Sequence, residues 1–149
     1  LYSHLTGIEN LRFYGNLFHV DNVDQRIMEV SKSLNVSPFL NNRVDTMSHG
    51  MRKRISLARS ILHDPPILLL DEPDAGIDQQ ALDILGNLTL SSKGKRTVLM
   101  TTHNIEIGFS LSHRLAIIAG GAIAYNEASS SKAIDEFKQF YKSFTGVSS

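Results

Sequence analysis

Four consecutive apolar residues, Ile67-Leu68-Leu69-Leu70, run directly into two acids, Asp71-Glu72, and then into Pro73. No other string limits the fold as much. An unbroken apolar run of this length, bounded by Asp64-Pro65-Pro66 and by Pro73, reads as a short strand buried on both faces. Strand–helix alternation follows it, which indicates an α/β layer with a largely parallel sheet. A second strand, Thr97 to Thr102, is expected after a helix from about Gln79 to Leu90 and the turn-like Ser91 to Lys95. Asn104 to Leu111 can form a short helix, and Gly120-Gly121 between Leu115–Ala119 and Ala122–Tyr125 reads as a hairpin. A last amphipathic helix carries Ile134, Phe137, Tyr141 and Phe144.

The first sixty-odd residues follow a helical period instead. Thr6-Gly7-Ile8-Glu9 has capping-box spacing, and Leu11, Tyr14, Leu17 and Phe18 share one face, which predicts a helix from about Gly7 to Phe18. Asp21 or Asn22 can cap a second helix with the stripe Ile27, Val30 and Leu34. Val36 to Val44, broken by Pro38, reads as a loop or short helix. Ser48 then caps a third helix reaching about His63, with Met51, Ile55, Ala58 and Leu62 at helical spacing.

Composition narrows the class without naming it. At 149 residues, 42% hydrophobic and 20% charged, the chain has the make-up of one globular domain, not a disordered one. Fifteen basic residues balance fifteen acidic ones, so no global field favours nucleic acid or an anionic membrane. With no cysteine, a disulfide scaffold and a Cys-ligated metal site are both excluded. No run approaches the roughly 20 apolar residues that span a bilayer.

Three places can carry chemistry. The carboxyl end of a strand in an α/β sheet is where ligands usually sit, and Asp71-Glu72 stands there. One carboxylate can hold a Mg²⁺ through water while the other accepts a proton from an attacking water. The plainer reading is a strand ending in acids that face solvent. Ser48-His49-Gly50 opens a helix whose amides and dipole form an anion site, with Arg52, Lys53, Arg54 and Arg59 adding positive charge. Taken alone, that string is more simply a capped surface helix with a solvated basic face. His103 follows the second strand and can reach the sheet edge that Asp71 occupies, although a lone histidine there is more often a cap or a surface residue.

In this order, the motifs resemble those of the ATP-binding cassette (ABC) ATPase family. Ser48-His49-Gly50-Met51 with its helix looks like the signature motif, Ile67 to Pro73 like Walker B, Ala75-Gly76-Ile77-Asp78 like the D-loop and His103 like the switch histidine. Leu5 to Leu11 is similar to the segment just beyond the family's Q-loop. The resemblance implies an α/β, partial ABC-type P-loop NTPase fold. Residues 1–63 would form a helical subdomain including the signature, and residues 64–149 the C-terminal part of a core with a mainly parallel sheet. ATP and Mg²⁺ are the implied cofactors. Asp71 would hold the Mg²⁺ shell, Glu72 would be the general base, and His103 would contact the γ-phosphate. Ser48 and Gly50 would touch the γ-phosphate of nucleotide bound mainly to a second ATPase subunit, with Asp78 at the dimer interface. A transmembrane permease subunit is the other implied partner, which would hold the protein at the cytoplasmic face of the membrane; no nucleic acid is expected.

Two residues depart from the family pattern. His49 replaces the signature's first glycine and Met51 its usual glutamine. A methionine there looks like the exporter branches, including drug exporters of the ABC-2 kind. Ser-His-Gly-Met together with His63-Asp64-Pro65 also resembles the haem-exporter ATPase of cytochrome c maturation.

The phosphate cradle is not found. A P-loop needs G-x-x-x-x-G-K-[ST], whose amides and lysine hold the β- and γ-phosphates. The Gly94-Lys95 pair is followed by Arg96, and Thr89 stands where the first glycine belongs. No Q-loop glutamine precedes Leu5. The expectation is therefore a chain beginning just past the Q-loop of a longer subunit, unable by itself to bind ATP tightly or hydrolyse it. A rival from another class is the C-terminal lobe of a chromosome-maintenance or DNA-repair ATPase, but a long heptad pattern should then precede Ser48, and Leu1 to Asp45 lacks one.

Overall fold

The computed structural model describes residues 1–76, 79–90, 96–131 and 133–145. The architecture is mixed α/β. Its elements are α1 (Gly7–Leu17), α2 (Val23–Ser33), α3 (His49–Ile61), β1 (Ile67–Asp71), α4 (Gln79–Leu90), β2 (Thr97–Thr101), α5 (Ile105–Leu111), β3 (Arg114–Ala119), β4 (Ala122–Ala128) and α6 (Ile134–Thr145). Short 3₁₀ turns at Ser37–Phe39 and Val44–Thr46 fill the segment between α2 and α3. The expected Ser91–Lys95 turn lies outside the described residues. The chain divides into two compact units, Leu1–Met100 and Thr101–Ser149.

In the first unit, local chemistry places the helices. Thr6 and Glu9 form a reciprocal capping box at α1: the Thr6 hydroxyl oxygen accepts the Glu9 amide, and the Thr6 amide donates to the Glu9 carboxylate at 2.8 Å. Asn22 stands at the N-cap of α2 as expected, yet its backbone is left-handed (φ 49°) and its side chain makes no cap bond. The position was legible and the means were not. Ile27, Val30 and Leu34 are buried, as their spacing requires, against Leu11, Ile55, Ala58 and Leu62 from α1 and the α3 segment. Gly15 lets α1 and α2 approach closely, because a Cβ there would clash with Val23 Cγ2. Arg26 closes the far end of α3 by donating from Nε to the Leu62 carbonyl at 3.0 Å and from Nη2 to the Ile61 carbonyl at 3.1 Å, two of the carbonyls a helix end leaves open.

β1 and β2 pair as a two-stranded sheet on either side of α4 in sequence. Among the described residues, the burial of β1 on both faces that its apolar run led one to expect is absent. β1 is buried on one face only: Leu68 is 4% exposed, whereas Ile67 is 62% and Leu69 70% exposed. Side chains alternate along a strand, so Leu68 and Leu70 meet the helical core while Ile67 and Leu69 point the other way, as Leu99 does on β2. Burial on both faces needs a second covering layer, and no described residue of this unit supplies one.

The second unit is built on the β3–β4 hairpin. The strands are antiparallel, with Arg114 opposite Ala128 and Ala119 opposite Ala122, and the register slips between Ile117 and Ile118. Gly120 and Gly121 both take positive φ (57° and 78°), the backbone a two-residue hairpin turn requires. Ile117, Tyr125 and Phe137 form the core, with Tyr125 and Phe137 edge to face at 5.6 Å. Lys138 donates to Glu106 at 2.6 Å, which holds the Glu106 carboxyl below its usual range and raises the Lys138 ammonium. The described strands therefore form two separate two-stranded sheets, the second antiparallel.

Candidate functional site

The N-terminus of α3 is set by Ser48. Its backbone is extended (φ −63°, ψ 164°) and its hydroxyl oxygen accepts the Met51 amide at 3.2 Å, while the Arg52 amide reaches the Ser48 carbonyl at 3.0 Å. The amides of His49 and Gly50 precede the first intrahelical bond, so the helix itself offers them no acceptor. Gly50 is half-buried, and a Cβ built on it meets nothing within 4 Å. Packing within the chain thus gives no reason for glycine at this position; close approach by a group from outside would.

The cations of α3 are not a free basic face, as the sequence suggested. Arg52 donates to the Met47 carbonyl at 2.6 Å. Arg54 lies over the Phe39 ring at 5.2 Å and Arg59 over the Tyr14 ring at 4.8 Å. Lys53 crosses to the exit of β1, where its Nζ donates to the Glu72 carbonyl at 3.0 Å and also to the Ala75 carbonyl. Sequence reasoning counted these residues as charge and missed what they hold, because each partner but Met47 is remote in the chain.

β1 delivers the acid pair. Asp71 ends the strand and is exposed; Glu72 follows, half-buried, with a left-handed backbone (φ 43°). The Ala75 amide returns to the Glu72 carbonyl at 3.2 Å, closing a turn over Pro73 and Asp74. The His49 ring lies beside this turn, 3.7 Å from where Gly76 would carry a Cβ. The structure therefore brings together the first turn of α3 and the exit of β1, two stretches roughly twenty residues apart.

His103 is exposed and belongs to the second unit, between Thr102 and Asn104. The Asn104 amide donates to the Thr102 hydroxyl at 2.9 Å, and Asn104 Oδ1 accepts the Glu106 and Ile107 amides at 3.0 and 3.1 Å, so Asn104, not His103, caps α5. Asp78 lies outside the described residues.

The donor set suits Mg²⁺ bound with nucleotide. Asp71 and Glu72 are consecutive in the chain and carry hard carboxylate oxygens, and Mg²⁺ takes one or two carboxylates with waters and phosphates completing its shell. Among the described residues no group of three or more His, Asp or Glu gathers to hold an ion on protein ligands alone. Nor, among them, is any helix long and apolar enough to cross a membrane.

Comparison with known proteins bears on these motifs directly. The family model described as ABC transporter matches residues 1–75, the stretch containing α1, α2, the Ser48 turn and the Asp71-Glu72 pair. The chain is 32% identical over 131 residues to the ABC transporter ATP-binding protein NatA of Bacillus subtilis, covering 86% of this chain and 53% of that protein. It is 35% identical over 118 residues to the Nod factor export ATP-binding protein I of Cupriavidus pinatubonensis, covering 76% of this chain and 36% of the relative. A fluoroquinolones export ATP-binding protein of Mycobacterium tuberculosis is 32% identical over 123 residues, which are 82% of this chain and 40% of that one. The chain thus spans about half or less of the length of these curated relatives. A family model covering the signature turn and the acid pair, and relatives at this identity across most of the chain, lead to one conclusion: the chain belongs to the ABC transporter family.

Proposed function

We propose that this chain works in the ATP-hydrolysing subunit of an ABC exporter, as part of a nucleotide-binding domain with a partial P-loop NTPase fold and a mainly parallel sheet. The observation that carries the reading is that the first turns of α3 lie beside the turn leaving β1, with the His49 ring next to Gly76 and Lys53 bonded to the Glu72 and Ala75 carbonyls. In this reading Asp71 holds the Mg²⁺ shell, and the ion when bound neutralises charge on the phosphates. Glu72 accepts the proton of the water that attacks the γ-phosphate. The Ser48 hydroxyl and the α3 amides donate to γ-phosphate oxygens of nucleotide held mainly by a facing subunit, with Gly50 leaving room for that approach. His103 contacts the γ-phosphate, and Asp78 lies at the interface between subunits. Catalysis here is positioning and electrostatics.

A second ATPase subunit and a transmembrane permease are the proposed partners, the permease holding the protein at the cytoplasmic face of the membrane. The shortness of α1 and α2, 11 residues each, favours this reading over a chromosome-maintenance ATPase, whose signature would follow a long heptad helix. Haem export for cytochrome c biogenesis is the narrower proposal. It rests on Ser48-His49-Gly50-Met51 and His63-Asp64-Pro65, while the relatives named for Nod factor and fluoroquinolone export support drug, lipid or polysaccharide export as the alternative. Purification of the protein expressed from its own gene, with its membrane partner, tests the function. Mg²⁺-dependent ATP hydrolysis by that complex is the expected result, and a pure complex without turnover refutes it.

A further inference from the structure

We propose that Lys53 is a positioning residue that holds the turn carrying Glu72 and ties it to the first turns of α3. This rests on the reading of Glu72 as the general base. Lys53 Nζ donates to the carbonyl of Glu72 at 3.0 Å and to that of Ala75, while the Ala75 amide closes back on the Glu72 carbonyl at 3.2 Å. One ammonium therefore grips both ends of a four-residue turn. Lysine is well fitted to this grip, because its compact head carries three donors and no acceptor and can serve two carbonyls at once. The residue is half-buried, with its charge at the turn.

The turn needs such a hold. Glu72 has φ 43°, a left-handed backbone that residues other than glycine seldom adopt unless their surroundings impose it. Its carboxylate direction follows from that backbone, so a relaxed turn would re-aim the side chain. Lys53 also sits five residues after Ser48, on the helix whose first turn lies beside the same β1 exit through His49 and Gly76. Phosphate seated on Ser48 and Gly50 would then order the segment that anchors Lys53, and through it the aim of Glu72. Lys53 thereby couples the two half-sites of one subunit, alongside the His49 contact with Gly76.

Lys53→Met keeps the apolar stem and removes the donors. In the protein expressed from its own gene, amide hydrogen exchange at Asp74, Ala75 and Gly76 should rise about tenfold in this variant, with α1 and α2 unchanged. ATP turnover should show kcat lower by about tenfold and KM for ATP within about twofold, the split expected when a group is mis-aimed and binding is intact. Unaltered exchange at the turn overturns the proposal, as does faster exchange with full kcat. Absence of turnover in the unaltered protein would instead remove the ATPase reading, while the exchange measurement still decides whether Lys53 holds the turn.

Discussion

The Ser48 hydroxyl oxygen accepts the Met51 amide at 3.2 Å, so the cap of α3 uses an oxygen lone pair and leaves the hydroxyl proton for another acceptor. The same side chain can therefore hold the helix end and donate to a phosphate. Two substitutions separate these roles. Ser48→Ala removes both and should cost about 1 kcal/mol of stability, the usual worth of an N-cap. Ser48→Asp keeps a good cap but sets a negative charge against the phosphate, so its thermal midpoint should stay near that of the unaltered protein while ATP turnover is lost. Full turnover in Ser48→Asp would remove Ser48 from the phosphate site.

Gly50 permits a similar separation. Open space surrounds the position, and alanine is the better helix former, so Gly50→Ala should leave stability unchanged or raise it by up to about 1 kcal/mol. Turnover should nevertheless fall, because the added methyl occupies the approach that glycine leaves clear. Thermal melting and ATPase rate on the same sample check this, and a stabilised variant with undiminished rate would show that the glycine serves no ligand.

The capping box at α1 makes a pH-dependent contribution. The Thr6 amide, followed by its hydroxyl, holds the Glu9 carboxyl below its ordinary value of 4.5. A carboxyl depressed on folding stabilises the native state above its unfolded value, and that contribution is lost as pH falls through the lower folded value. Glu9→Gln should accordingly flatten the acid limb of the stability–pH curve and change little near neutrality beyond a constant offset. An acid limb identical in the two proteins, measured by denaturant melts from neutral pH downward, would show that the box carries no charge-dependent stability.

How much could be read from the residues depended on how local each cause was. Caps and stripes are local, so Thr6 with Glu9 and Ser48 with Met51 located α1 and α3 to within about two residues, and Gly120-Gly121 located the hairpin. The run Ile67 to Leu70 located β1 but not its burial, since an apolar run looks the same whether one face or both are covered. Asn22 marked the start of α2 while capping nothing with its side chain. The site divides the same way. Asp71-Glu72 at a strand end was legible because the strand and the acids adjoin in sequence. The Lys53 contact with the Glu72 turn was not, because 19 residues separate the pair and only the folded chain joins them.

The central claim is that Glu72 is the general base of an ATPase, and one substitution tests it most directly. Glu72→Gln keeps the side chain's size and removes its capacity to accept a proton at neutral pH. ATP hydrolysis is measured for this variant and the unaltered protein, each expressed from its own gene, together with the oligomeric state in ATP. The expected result is turnover reduced by at least about 10²-fold, with a dimer that accumulates in the ATP-bound state. Near-normal turnover in Glu72→Gln would contradict the account.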